Sequence, residues 1–341
     1  MKDRQTGQDK IPGVFAVRPR RFHAAWLASA LLLPLALVLS GCGGPTRAAA
    51  ATRVENRPDA FQTSGRTANL LVHAPPNPSG RPLPLVVALH SLHYDSANAE
   101  KVFGLDQLAD REGFVVAYPN GIAGSWNAGS CCGSAAANSV DDVAYVRAVI
   151  SHLEQHYSID RRRVVLIGLS NGGMLAYRYV CEYPDEIAGI GVVAGSLQVA
   201  GCRPSNPVTV VSVHGFTDGL VPYNGLDWST VLQTPITSVA DSLSPFRAVD
   251  RCSAPRPTGD STLTDRSGLP RATDAPPAAP GTTLIFKVET PCLSTARVVD
   301  FDLTNTGHGW PPTSGNGSFD AAGVIWRILA DARSERTGPD L

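Results

Sequence analysis

Val164-Val165-Leu166-Ile167-Gly168-Leu169-Ser170-Asn171-Gly172-Gly173-Met174 (VVLIGLSNGGM) starts as an apolar strand and turns abruptly into the opening of a helix. A serine flanked two residues either side by glycine, Gly168-Leu169-Ser170-Asn171-Gly172, is a G-x-S-x-G pattern between strand and helix. The turn such a pattern makes is so sharp that side chains at its outer positions would collide, and glycine there removes the collision. Ser170 Oγ would then stand above the end of a sheet, and the Asn171 N–H at the helix start would face a developing negative charge. On residue frequencies alone the pattern arises by chance roughly 0.1 times in a chain of this length. The buried strand before it and the amphipathic helix after it make it a candidate nucleophile.

The same alternation extends in both directions. Strands are predicted at 67–72, 83–89, 114–118, 163–169, 187–194, 208–213, 283–288 and 297–303. Helices are predicted at 97–111, 140–157, 171–183, 236–249 and 319–332. The run LPLVVAL at 83–89 has no polar face, which is the mark of a strand covered on both sides. Alternating strands and helices predict an α/β domain over 66–335 around a mostly parallel sheet. Residues 253–281, rich in Pro, Ser, Thr and Asp, read as an irregular surface excursion from it. Residues 43–65 lack periodicity and read as a flexible tether.

Residues 1–42 read as an address. Lys2, Arg4, Lys10, Arg18, Arg20 and Arg21 precede an apolar run from Ala24 to Leu39 that is short for a membrane span. Leu39-Ser40-Gly41-Cys42 has the form of a bacterial lipoprotein box, in which Cys42 is lipidated and becomes the mature N-terminus. Arg20-Arg21 fits a twin-arginine signal poorly and does not decide the export route. Beyond Cys42 stand Cys131, Cys132, Cys181, Cys202, Cys252 and Cys292, an even set that suggests disulfides in an exported chain. Their pairing is open, with Cys252 and Cys292 favoured because they bracket the excursion. No metal-ligand spacing occurs among them, so a zinc site is not expected, and the serine chemistry set out below requires no metal or organic cofactor. The net charge is −1, from 29 basic and 30 acidic residues, and no basic tract lies beyond the N-terminus. Nucleic acid is therefore not an expected partner.

A nucleophilic serine needs a base and an orienting acid, here expected in the order Ser, Asp, His. His308, in the glycine-rich loop Thr306-Gly307-His308-Gly309-Trp310-Pro311 after a late strand, is the candidate base. Asp218, in the loop His214-Gly215-Phe216-Thr217-Asp218 after the 208–213 strand, is the candidate acid. Asp227, Asp241 and Asp250 follow no buried strand so directly. His214 reads as a hydrogen-bonded structural residue. Asp141 and Asp142 precede the serine and read as helix-start residues that cap free N–H groups.

His90-Ser91-Leu92, Ser125–Gly129 with Cys131-Cys132, Val140–Val143, Gly168–Met174, His214–Tyr223 and Gly307–Pro311 occur in one order. Together they resemble the secreted polyhydroxybutyrate depolymerase-like esterases, whose relatives include feruloyl and acetylxylan esterases. The resemblance covers roughly Leu70 to Leu329. It implies an α/β-hydrolase three-layer sandwich and assigns nucleophile, acid and base to Ser170, Asp218 and His308, the positions reached above from the residues. One departure stands out: the family has His-Gly where this chain has His90-Ser91. The oxyanion hole is then expected to use the Leu92 N–H beside that of Asn171, and loss of one such donor costs about 10²–10³ in turnover. Trp126 and Trp310 are candidates either for stacking on substrate or for packing the loops around the site. Tyr223 is expected to support the acid's loop.

The sequence thus leads to an exported serine esterase, lipid-anchored at the outer face of a bacterial membrane or extracellular. Its substrate would be an ester: a small molecule, a polyester or a plant cell-wall glycan ester. The rivals are a serine peptidase and a catalytically degenerate surface lipoprotein, toward which only Ser91 points.

Overall fold

Every residue of Leu83–Leu89 after the first is buried, and its side chains divide between two cores. Leu85, Val87 and Leu89 join one cluster, while Val86 and Ala88 join the other, because successive side chains of a strand point to opposite faces. A computed structural model describes residues 57–63, 65–253, 256–257, 285–290, 292–312 and 319–336. Its strands are β1 (Arg57–Thr63), β2 (Arg66–His73), β3 (Leu83–Leu89), β4 (Val115–Pro119), β5 (Ile159–Leu169), β6 (Gly189–Val193), β7 (Thr209–Gly215), β8 (Leu226–Ser229), β9 (Thr234–Ile236), β10 (Arg256–Pro257), β11 (Ile285–Thr290) and β12 (Val298–Leu303). Its helices are α1 (Ser96–Phe103), α2 (Leu105–Glu112), α3 (Gly133–Ala137), α4 (Asp142–His156), α5 (Asn171–Glu182), α6 (Val239–Val249) and α7 (Ala321–Leu329).

Ten strands form one sheet in the order β1-β2-β4-β3-β5-β6-β7-β12-β11-β10. The six from β4 through β12 run parallel, and antiparallel strands finish both edges. The cluster that holds Leu85 and Val87 also holds Val146 and Ile150 of α4, Leu175 and Tyr177 of α5, and Phe246 of α6. The opposite cluster holds Phe103 of α1, Leu108 of α2, and Ile325 and Trp326 of α7. This is the predicted three-layer sandwich of the α/β-hydrolase type. Chain reversals at the carboxyl ends of the parallel strands carry the loops where such sheets place ligands.

Three readings of the sequence change. The stretch expected as a flexible tether contributes Arg57–Thr63, which pairs antiparallel with β2 from Arg57↔Val72 to Thr63↔Arg66. It is an edge strand with largely exposed side chains, so no apolar rhythm announced it. The helix expected over 97–111 is two helices, because Gly104 takes a left-handed conformation (φ 65°) that ends α1 and starts α2. The short helix α3 and the hairpin β8–β9 were not foreseen. Of the excursion at 253–281, only Ser253 and Arg256–Pro257 belong to the described residues. The signal segment, Cys42 and residues 43–56 lie outside them. No helix among the described residues is long and apolar enough to cross a membrane.

Disulfides join Cys252 to Cys292, as favoured, Cys181 to Cys202, and Cys131 to its neighbour Cys132.

The β12 strand carries an unusual pair. Asp300 and Asp302 are fully buried on the face shared with Val298, where α6 brings Arg247 against them. Burial pushes both carboxyls up, Asp302 furthest because Asp300 is beside it, and Arg247 opposes the shift. A carboxyl that holds its proton more tightly folded than unfolded stabilises the fold fully below about pH 4 and loses that contribution as pH rises. Asp302→Asn should therefore gain urea resistance relative to wild type between about pH 5 and pH 9. A midpoint difference that stays constant across that range would refute the assignment.

Candidate active site

Ser170 sits between β5 and α5 at φ 54°, ψ −120°, a strained conformation for a residue with a side chain. The glycines around it are dictated by contact. A Cβ on Gly168 would run into the backbone of Gly172 and Gly173, and one on Gly172 would meet the carbonyl oxygens of Leu89 and His90. The first turn of α5 can thus lie directly on the end of β3.

Three distant side chains meet above this turn. His308 Nε2 is 3.0 Å from Ser170 Oγ, and His308 Nδ1 is 2.8 Å from Asp218 Oδ2. A carboxylate only accepts, so Nδ1 carries the proton and Nε2 is free to accept the serine O–H. Asp218 Oδ1 accepts the amides of Leu220 (2.9 Å) and Val221 (2.8 Å). Burial would raise the Asp218 carboxyl, but hydrogen bonds from His214 and His308 and the Val221 amide outweigh it and hold it well below the usual carboxylate range. These contacts favour the ionised form of the Asp218 carboxyl. Gly215 ends β7 so close to Thr306 that a Cβ would strike the Thr306 backbone. That approach brings the strand leading to Asp218 against the loop that carries His308.

The other acids are occupied elsewhere. Asp250 holds the Ser294 backbone and hydroxyl, Asp241 bonds Ser238 at the start of α6, and Asp227 lies on the exposed β8 strand. Tyr223 packs edge-on against His214 and Phe216, supporting the Asp218 loop as expected. Asp141 caps α4 by accepting the Ala144 amide at 3.0 Å. Asp142 does not act as a cap. It is fully buried, accepts the Asn127 amide at 2.7 Å and pairs with Arg66 at 3.1 Å, so it anchors the loop ahead of the helix.

Trp126 also needs correction, because none of its surface is exposed and it cannot stack on substrate. It joins the two loops expected to stabilise the oxyanion. Its indole N–H donates to His90 O at 2.9 Å, its backbone N–H donates to Asn171 Oδ1 at 2.8 Å, and its carbonyl accepts Asn171 Nδ2 at 2.9 Å. His90 completes the brace, accepting the Gly121 amide at Nε2 and donating from Nδ1 to Ser91 O. Burial lowers its pKa and keeps the ring neutral, against the opposing influence of the Ser91 carbonyl and Asp95. Among the described residues, the backbone hydrogen bonds that close the loop after His90 use the amides of His93 and Tyr94, and those of Leu92 and Asn171 take no part in them. Trp310 is half-buried and stacks on Phe103 at 4.2 Å, bracing the His308 loop from α1.

Trp126→Phe keeps an aromatic ring and removes one buried hydrogen bond. It should cost about 1–3 kcal/mol of stability and lower kcat about tenfold, with KM for aryl esters unchanged. A selective rise in KM without loss of stability would show instead that the ring meets substrate.

Comparison with known proteins agrees with this architecture. The sequence profile of the family described as "Esterase PHB depolymerase" matches residues 69–214. NocK of Nocardia uniformis subsp. tsuyamanensis, named as an esterase, is 35% identical over 286 residues, covering 76% of this chain and 78% of that protein. A protein of Aspergillus clavatus named as feruloyl esterase C is 27% identical over 218 residues, covering 61% of this chain and 72% of its own length. Among solved structures, the acetyl xylan esterase from Aspergillus awamori superposes with a TM-score of 0.51 at 14% identity, covering 77% of this chain and 94% of that one. At that identity the likeness is one of fold.

Proposed function

The chain belongs to the esterase PHB depolymerase family of carboxylic ester hydrolases, and on that premise we propose that it is a serine esterase working through an acyl-enzyme on Ser170. The observation that carries this reading is the unbroken hydrogen-bonded chain from Ser170 through His308 to Asp218.

His308 Nε2 takes the Ser170 proton as Oγ attacks the ester carbonyl, and Asp218 remains a carboxylate that holds the imidazolium. The negative charge formed on the carbonyl oxygen falls to the N–H groups of Leu92 and Asn171. Imidazolium then protonates the departing alcohol, leaving an acyl ester on Ser170. Water attacks that ester with His308 again as base, releasing the acid and restoring the serine. The intact triad favours an enzyme over the surface-binding alternative, Ser91 notwithstanding.

The relatives' names point to feruloyl and acetyl esters, and the family's description to hydroxyalkanoate esters, as the substrates to try first. Tyr94, 52% exposed and two residues beyond Leu92, offers an aromatic surface for the acyl group, and the uncovered part of Trp310 offers a second. Export with a lipid on Cys42 belongs to the same proposal. It is supported by the basic and apolar leader and by three disulfides, which form in oxidising compartments. Labelled fatty acid should enter the full-length chain and not Cys42→Ser.

The test is turnover of short nitrophenyl esters, methyl ferulate, acetylated xylan, a 3-hydroxybutyrate oligomer and a peptide anilide, alongside fluorophosphonate labelling. Hydrolysis of at least one ester in preference to the anilide, with labelling at Ser170, is the expected result. Absence of both labelling and ester turnover rejects the proposal, and a preference for the anilide makes the protein a peptidase.

A further inference from the structure

Asp218 is held from more sides than its role in a triad requires. Its side chain is fully buried, with Oδ1 taken by two loop amides and Oδ2 by His308. A second imidazole reaches the same Oδ2: His214 Nε2 lies 3.4 Å from it and 2.8 Å from the carbonyl oxygen of Val221. Both neighbours of this nitrogen are acceptors, so Nε2 carries the hydrogen and His214 is the donor. The ring therefore directs one N–H between the Val221 carbonyl and the carboxylate.

Its setting limits rotation. His214 is 1% exposed near the end of β7, and Tyr223 meets it edge-on at 6.0 Å between ring centres. Across the sheet its register partner is Asp302, with Asp300 opposite Ser212 one step below. Partners in a parallel pair share a face, so these side chains form a polar column rising from Val210 and Val298 toward Asp218. Arg247 of α6 and Tyr177 of α5 close the column from the helix layer. The titratable and charged groups around His214 are thus Asp218, Tyr223, Asp300, Asp302, Arg247 and Tyr177, with His308 beyond Asp218.

We propose that His214 is a positioning residue of the catalytic acid, sharing its Nε2–H between Val221 O and Asp218 Oδ2 so that the carboxylate stays aimed at His308 Nδ1. The proposal rests on the esterase reading above. A carboxylate held only by amides on one oxygen and by the base on the other can swing about its last bond and carry the base with it. The His214 hydrogen blocks that swing and takes up part of the negative charge. Without it Asp218 is more basic and binds the His308 proton harder, so the acid limb of the pH profile moves to higher pH.

His214→Leu removes the donor, and His214→Gln keeps one at similar reach. In His214→Leu, kcat should fall about 10- to 100-fold with KM within about twofold. The acid limb of kcat/KM should move up by about half a unit. The low-field proton resonance of the His308–Asp218 hydrogen bond, which needs no turnover to observe, should shift. His214→Gln should recover most of the rate and return limb and resonance toward wild type. If the leucine variant does not fold, His214→Phe, which keeps a ring in place, carries the same expectations.

A donor-free variant with wild-type kcat, limb and resonance overturns the proposal. So does a glutamine variant as impaired as the leucine one with limb and resonance unmoved, since packing alone would then be at stake. Wild-type protein with neither turnover nor labelling would reject the esterase reading itself, which separates the two failures.

Discussion

Ser170→Ala is expected to lower kcat on any ester this protein hydrolyses by about 10⁶-fold, with KM nearly unchanged. Oγ is the only atom removed. It stands 3.0 Å from His308 Nε2, and among the described residues no other hydroxyl is hydrogen-bonded to that ring. The Leu92 and Asn171 amides, Asp218 and the imidazole remain, so a residual acceleration of about 10³ over water is expected from what is left. The measurement is single-turnover hydrolysis of a nitrophenyl ester, with fluorophosphonate labelling of the same samples. A variant that keeps even about a hundredth of wild-type kcat would show that the nucleophile lies elsewhere.

Asp218→Asn is expected to cost about 10⁴ in kcat at neutral pH, more than loss of one charge would suggest. The surroundings decide which way the amide turns. Leu220 and Val221 direct two N–H groups at the Oδ1 position, so the carboxamide oxygen must take that place. The NH₂ then occupies the Oδ2 position, where it faces His308 Nδ1 and also the N–H of His214. Facing a donor, His308 carries its proton on Nε2 and cannot accept the one from Ser170. Two donors also oppose each other at His214, so the variant should unfold at a lower temperature. Steady-state kinetics against pH and a melting curve check both effects. Retention of more than about a tenth of wild-type kcat would remove Asp218 from the role.

Much of this site was legible because its signals are local. Gly168, Ser170 and Gly172 report a turn whose sterics involve only a few successive residues, and a buried strand before it admits few other interpretations. His308 and Asp218 could be chosen because loops after late strands reach the same rim of a parallel sheet. The Gly104 break was also local, but a continuous apolar rhythm across α1 and α2 concealed it.

Trp126, Asp142 and His214 were harder to read, and for one reason. A tryptophan in a loop, an aspartate at a helix start and a histidine at a strand end each have a bland local role. Which role applies depends on partners far away in sequence: Asn171 and His90 for Trp126, Asn127 and Arg66 for Asp142, Asp218 and Asp302 for His214. The edge strand Arg57–Thr63 escaped notice because its order comes from pairing with β2 rather than from burying an apolar face.

By itself the amino-acid sequence determined the layered α/β architecture, the strained turn at Ser170 and the identity of its two distant partners. Apolar periodicity and backbone sterics are properties of short segments and survive without knowledge of the rest. Only the tertiary structure decided what surrounds those three residues: a tryptophan that bolts the loop at His90 to Asn171, and a buried aspartate that anchors the loop carrying that tryptophan. It also placed a second histidine against the acid. Hydrogen bonds between segments depend on where folding brings each donor and acceptor, and no local pattern encodes that.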